Sequence, residues 1–286
     1  MLSPSTRRSD RSTLPGETVN DTDKAKLATR VSLLLFMVCA AGRAAAFFSG
    51  AQNERWMWLD ALLLLSGAAT TLIGQMRRLP AQNVLAAAAI CALTGGIVQA
   101  IGAATGVPFG AFTYTEHASV LPWLLPLVWV ILILNGRGVA RLIFRPWRKT
   151  RTYGLRVIAL TCLLAVAFAL GLQPYAAKVN GYWLWQVNQT RWSWFGTPWI
   201  CFFSWLLTAL LILAFCTPFL INKKPVKSPP FYHPLIVWLT VSMVFASGLS
   251  SGRLKVAMMT VLGLSAIMFS AAMAGARWSR LHPRKT

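Results

Sequence analysis

Leu155–Leu172 reads LRVIALTCLLAVAFALGL, and it follows directly on RPWRKTRTYG, residues Arg145–Gly154. The apolar run approaches the roughly 20 residues that a helix needs to cross a hydrocarbon core. The basic segment at its foot is what loops on the cytoplasmic side of a bilayer carry. Together they predict a helix that leaves a cytoplasmic loop and crosses a membrane.

Working outward, the same pattern repeats along the chain. Further spans are expected near Val31–Phe48, Trp58–Gln75, Val84–Ala104, Ser119–Val139, Trp199–Ile221, Tyr232–Leu249 and Val256–Ala274. The predicted fold class is therefore all-α, a polytopic integral membrane bundle of about eight transmembrane helices. A short Ser-Ser-Gly-Arg turn separates the last two, which predicts a tight antiparallel hairpin.

The placement of charge tests this count independently. With the N-terminus inside, the cytoplasmic segments hold Arg7 to Arg30, Arg77 and Arg78, Arg137 to Arg156, Lys223 to Lys227, and Arg277 to Lys285. They carry 22 of the 28 Lys and Arg residues, whereas Arg55, Lys178, Arg191, Arg253 and Lys255 make 5 on the opposite side. The bias alternates at every loop and assigns both termini to the cytoplasmic face (N-in/C-in). The expected location is a bacterial cytoplasmic (inner) membrane.

Composition agrees. Only 12% of the 286 residues are charged and 56% are hydrophobic, against about 25% charged in soluble domains. The net charge of +21 lies in clusters between apolar runs rather than in one basic groove, which argues against nucleic acid. Residues 1–28 are polar and read as a disordered cytoplasmic tail, 29–276 as the membrane domain, and 277–286 as a basic cytoplasmic tail. Cys39, Cys91, Cys162, Cys201 and Cys216 all sit in apolar runs, without metal-ligand spacing, and read as small hydrophobes.

Few residues can carry chemistry. Of the 7 acids, Asp10, Glu17, Asp21 and Asp23 belong to the tail, which leaves Glu54, Asp60 and Glu116. No Asp-rich motif is present to hold magnesium diphosphate, and no carboxylate cluster to hold two irons. His117, His233 and His282 are too few for a histidine-rich iron site, and no phosphate-cradling glycine loop is visible. No metal and no cofactor is expected. Arg43 falls inside the first span, where an unpaired charge costs about 2.5–3.5 kcal/mol on insertion scales, so snorkelling or pairing is expected. Asp60, near a span boundary, is open to pairing with Arg43 or Arg55.

Two segments depart from the apolar background. One runs from Gln99 through Gly106-Val-Pro-Phe109-Gly-Ala-Phe112-Thr-Tyr114-Thr-Glu116-His117. The other runs from Gln173-Pro174 through Asn180-Gly-Tyr-Trp183-Leu-Trp185 to Trp194-Phe-Gly-Thr-Pro198. The charge rule assigns both to the extracytoplasmic side, where two aromatic, Gly/Pro-broken segments are able to close one pocket. Aromatic side chains also gather at membrane interfaces simply as anchors, and both readings stand at this point.

These two segments resemble the membrane hydratases of carotenoid biosynthesis, the family of bisanhydrobacterioruberin hydratase and γ-carotene 1′-hydratase. The resemblance rests on Gln99-Ala-Ile-Gly102, Thr105-Gly-Val-Pro-Phe-Gly110 and Phe112-x-Tyr114-Thr115, then on Gln173-Pro174, Gly181–Trp185, Trp194–Pro198 and Trp205. It covers roughly residues 95–218. Where the family pattern has Glu and Asp this chain has Gln99 and Gln173, and a family Tyr is Phe112.

The resemblance implies addition of water to the terminal ψ-end double bond of an acyclic carotenoid, with a carotenoid or other isoprenoid lipid as partner beside the membrane lipids. Such hydration needs a proton on the less substituted alkene carbon and capture of the tertiary cation by water. Glutamine cannot supply that proton. The expected catalytic set is then Glu116 as acid with Tyr114, Gln99 and Gln173, while Phe109, Phe112, Asn180, Trp183, Trp185 and Trp194 bind substrate. Loss of the two family acids equally suits a protein that binds carotenoid without converting it. A solute carrier is the third class, and the lack of an internal repeat speaks against it.

Overall fold

A computed structural model describes residues 19–49, 57–118, 121–186, 192–221, 229–250 and 252–281. Eight α-helices follow in order: α1 (Val19–Phe48), α2 (Met57–Met76), α3 (Ala81–Thr105), α4 (Leu121–Ile143), α5 (Tyr153–Pro174), α6 (Trp199–Cys216), α7 (His233–Gly248) and α8 (Lys255–Leu281). Among the described residues, seven helices are long and apolar enough to cross a membrane, and α7, also apolar, is shorter at 16 residues. The chain is an all-α integral membrane bundle.

The helix ends differ from the sequence reading in two places. The first helix is described from Val19, so residues 19–28 of the expected tail are its opening turns, while residues 1–18 lie outside the described residues. At the other end α8 continues to Leu281, and residues 282–286 lie outside. Arg55, Arg191, Lys223, Lys224 and Lys227 of the charge count also fall outside.

The helices alternate in direction. At one end Arg43 late in α1 bonds Asp60 early in α2, and Gly248 closing α7 approaches Tyr175 just beyond α5. At the other end Gln75 late in α2 donates to the carbonyl of Leu134 in α4, and Arg137 in α4 reaches the carbonyl of Leu220 beyond α6. Small residues let the helices cross closely, as expected where lipid offers no hydrophobic drive between them. A Cβ on Gly275 of α8 would fall 2.4 Å from the carbonyl oxygen of Leu142, and one on Gly95 of α3 would fall 2.3 Å from the Trp129 ring.

The interior is aromatic. Trp129 of α4 stacks on Trp205 of α6 with centroids 4.5 Å apart, and Phe168 of α5 touches Trp205, Trp238 and Phe245. The exterior is as apolar as the core: Leu34, Leu35, Leu155 and Ile267 are 58–70% exposed. Such a surface suits hydrocarbon and would aggregate in water.

The described parts of the two motif segments contain short paired strands. Phe112–Tyr114 forms β1 and Trp183–Trp185 forms β2, paired antiparallel as Phe112↔Trp185, Thr113↔Leu184 and Tyr114↔Trp183. Ser193–Trp194 and Thr197–Pro198 make a second small ribbon, β3 and β4. Two further features had no signal in the sequence: α5 runs on into a π-helical turn, Tyr175–Val179, and Val107–Pro108 is cis.

Candidate functional site

Pairing of β1 with β2 assembles the site. Side chains alternate across a strand, so Phe112, Tyr114, Trp183 and Trp185 share one face. Their rings form a cluster, with Phe112 5.4 Å from Tyr114 and 5.3 Å from Trp185, and Tyr114 6.4 Å from Trp183. Leu184, on the other face, is 57% exposed. The entry into β1 depends on Gly106, which caps α3 at φ 76° and donates its N–H to the carbonyl of Gly102. A side chain would strain there.

Behind this ribbon lies a small chamber lined by Gln99, Phe109, Phe112, Gln173, Trp183, Trp185, Cys201 and Trp205. Gln99 comes from α3 and Gln173 from α5, so the two glutamines do converge, together with four of the aromatic residues expected around them. Tyr114 joins from the side, accepting a long 3.5 Å hydrogen bond from Gln99 Nε2. Burial holds the Tyr114 phenol above its ordinary pKa, a shift that the Gln99 bond opposes.

A second, larger cavity lies at the centre of the bundle. Its volume is about 50 Å³, measured as space open to the centre of a water molecule. Phe36, Leu63, Leu64, Leu125, Val128, Ile131, Phe168, Leu172, Val241 and Phe245 wall it, and Asp60, Tyr175, Tyr182 and Trp183 border it. Trp183 lines both cavities.

Asp60 is the functional candidate that the sequence left unassigned. It is 5% exposed, and its carboxylate is ligated from four side chains. Arg43 donates Nε to Oδ1 at 2.9 Å and Nη2 to Oδ2 at 3.1 Å. The Tyr175 hydroxyl donates to Oδ1 at 2.7 Å, Asn180 Nδ2 donates to Oδ2 at 3.1 Å, and the Tyr182 hydroxyl also donates to Oδ2. Asn180 Oδ1 in turn accepts from Arg43 Nη2 at 2.8 Å. Arg43 itself is wholly buried, with its guanidinium 4.1 Å from the Phe47 ring centroid. Charges this deep persist only when paired and hydrogen-bonded, and both conditions are met. The π-helical turn and the Gly181 bend are what bring Tyr175, Asn180 and Tyr182 to one carboxylate.

The remaining expected site residues fall elsewhere. Glu116 opens a short 3₁₀ turn after β1 and is exposed, as is His117. Glu116 lines neither cavity. Asn180 belongs to the Asp60 cluster rather than to the glutamine chamber. Trp194 lines neither cavity: its indole N–H donates to the carbonyl of Leu170 at 3.0 Å, and its ring meets Phe195 and Trp199. Among the described residues, no three His, Cys, Asp or Glu side chains cluster as metal ligands.

Fold and site together define a polytopic helical membrane protein with an apolar internal cavity bordered by one charged, fully hydrogen-bonded cluster. Residues 59–270 match the model of a family described as carotenoid biosynthesis protein, and the chain belongs to that family. No curated protein and no solved structure matches it. Its role therefore lies in carotenoid biosynthesis, within a membrane.

Proposed function

We propose that the chain seats one end of an acyclic carotenoid in the central cavity and adds water to the terminal ψ-end double bond. The observation that carries this reading is the cavity itself: a hydrocarbon-lined space in a membrane bundle, bordered by the one carboxylate among the described residues that is buried. A polyene would enter from the lipid of a bacterial cytoplasmic membrane, and its terminal isopropylidene group would meet Asp60, Tyr182 and Trp183.

Asp60 takes the acid role in this reading, in place of the exposed Glu116. In its protonated form the carboxyl gives its proton to the less substituted alkene carbon, where the π electrons form the new C–H bond. Positive charge develops on the tertiary carbon, and the Trp183 ring and the new carboxylate stabilise it. Water adds its oxygen to that carbon and returns one proton to Asp60, so atoms and charge balance.

The full ligation of Asp60 supports a second reading, in which the chain binds carotenoid without converting it. Expression in a host that accumulates lycopene or γ-carotene separates the two. A product heavier by one water, lost in Asp60→Asn, supports hydration. Unchanged pigment that co-purifies with the protein supports binding alone, and no pigment at all rejects both.

A further inference from the structure

The glutamine chamber carries an inference that rests on the hydration reading and deepens it. Three polar atoms of its lining residues, Gln173 Oε1, Trp183 Nε1 and Trp185 Nε1, are buried without a hydrogen-bond partner in the protein. Gln173 and Trp183 are each 3% exposed. Buried polar groups are almost always satisfied, and three that are not, all on residues lining one chamber, call for a bound group.

The chemistry of the three atoms selects that group. An indole N–H only donates and an amide oxygen only accepts. A hydroxyl oxygen that accepts from two indoles and donates to Gln173 matches all three at once. The chamber measures about 10 Å³ on the same scale as the central cavity, which is the space of about one water molecule. An ion does not fit, since no charged side chain lines the chamber.

We infer that Gln173, Trp183 and Trp185 hold one ordered water molecule in this chamber, and that this is the water added to the alkene. Gln99, Phe109, Phe112, Cys201 and Trp205 form the remaining walls. Trp183 forms a wall of the chamber and of the central cavity, so movement of this one indole would open a path between water and cation. Opening it also releases one N–H bond, which frees a lone pair on the water for the new C–O bond. The proton lost in that step goes to the Asp60 carboxylate.

A high-resolution structure of the full-length protein in lipid nanodiscs tests the site without substrate. The expected result is density for a single water within hydrogen-bond distance of Gln173 Oε1 and both indole nitrogens. An empty chamber, or Gln173 Oε1 bonded to another protein group, overturns the inference. The role as reactant is read from Trp185→Phe, which keeps the ring and removes the donor. Conversion in a lycopene-accumulating host should drop at least tenfold while pigment still co-purifies; unchanged conversion overturns the assignment of this water as the reactant. Density present in a wild-type protein that forms no hydrated product would instead sink the hydration reading and leave the water site standing.

Discussion

Arg43 of α1 and Asp60 of α2, 17 residues apart, meet in a two-bond ion pair inside the bundle, at 2.9 and 3.1 Å. The pair also ties α1 and α2 to the far side of the site, because Asn180 bonds both partners.

Removing one partner strands the other charge. Arg43→Met should cost about 3–5 kcal/mol, the usual penalty for an uncompensated buried ion. The double variant Arg43→Met with Asp60→Leu should cost less than Arg43→Met alone. Thermal unfolding in detergent measures both. A double variant less stable than the single one would show that the cluster owes its stability to something other than the pairing.

Activity should follow Asp60 and ignore Glu116. In the lycopene-accumulating host, Asp60→Asn should lower hydrated product by about 100-fold, within the range for loss of a general acid. Glu116→Gln, on an exposed turn, should stay within about twofold of wild type on the same reasoning. The reverse ranking would return the acid role to the loop.

Filling the central cavity should expel its guest. Val241 lines it from α7 and is 7% exposed. Val241→Phe adds volume there, so less pigment should co-purify while the protein still extracts as a folded species. Undiminished pigment would place the carotenoid somewhere else.

The helix crossings tolerate no added methyl group where backbone faces backbone. Gly275→Ala should destabilise by about 1–3 kcal/mol, the usual range for overpacking, because its Cβ would press on the Leu142 and Ile143 carbonyls. Gly263, with open space around it, is the control: Gly263→Ala should be neutral or slightly stabilising.

Alkaline pH should loosen the site. Burial first, and the Asp60 charge second, hold the Tyr182 phenol well above its ordinary value of 10.0. The folded state therefore keeps a proton that the unfolded chain releases. Tyr182 contributes stability that is complete below about pH 10 and falls as pH rises above it. Wild type should lose more of its melting temperature than Tyr182→Phe between about pH 9 and 11; equal slopes would remove Tyr182 as the cause.

The spans were readable because the bilayer imposes one length and one polarity on every crossing helix, and Leu155–Leu172 shows both. That two aromatic segments on one side of the membrane are able to close a pocket was readable too, but not that Gln99 and Gln173 meet in it. The Asp60 cluster was not readable. Asp60 lies outside both motifs, and the sequence left its pairing open between Arg43 and Arg55. Its other ligands depend on a π-helical turn whose residues, Tyr175–Val179, look like any helix end. Glu116 attracted the acid role as the one carboxylate inside a motif, but the 3₁₀ turn that follows Tyr114 carries it outward.

The ribbon of β1 and β2 has a parity. Moving β1 by one position would swing Phe112 and Tyr114 outward and bring Thr113 in, and moving β2 would exchange Trp183 and Trp185 for Leu184. Length changes between Gly106 and Phe112 are thus compatible with this pocket in steps of two, so a single inserted residue there should erase the chamber while leaving every helix where it stands.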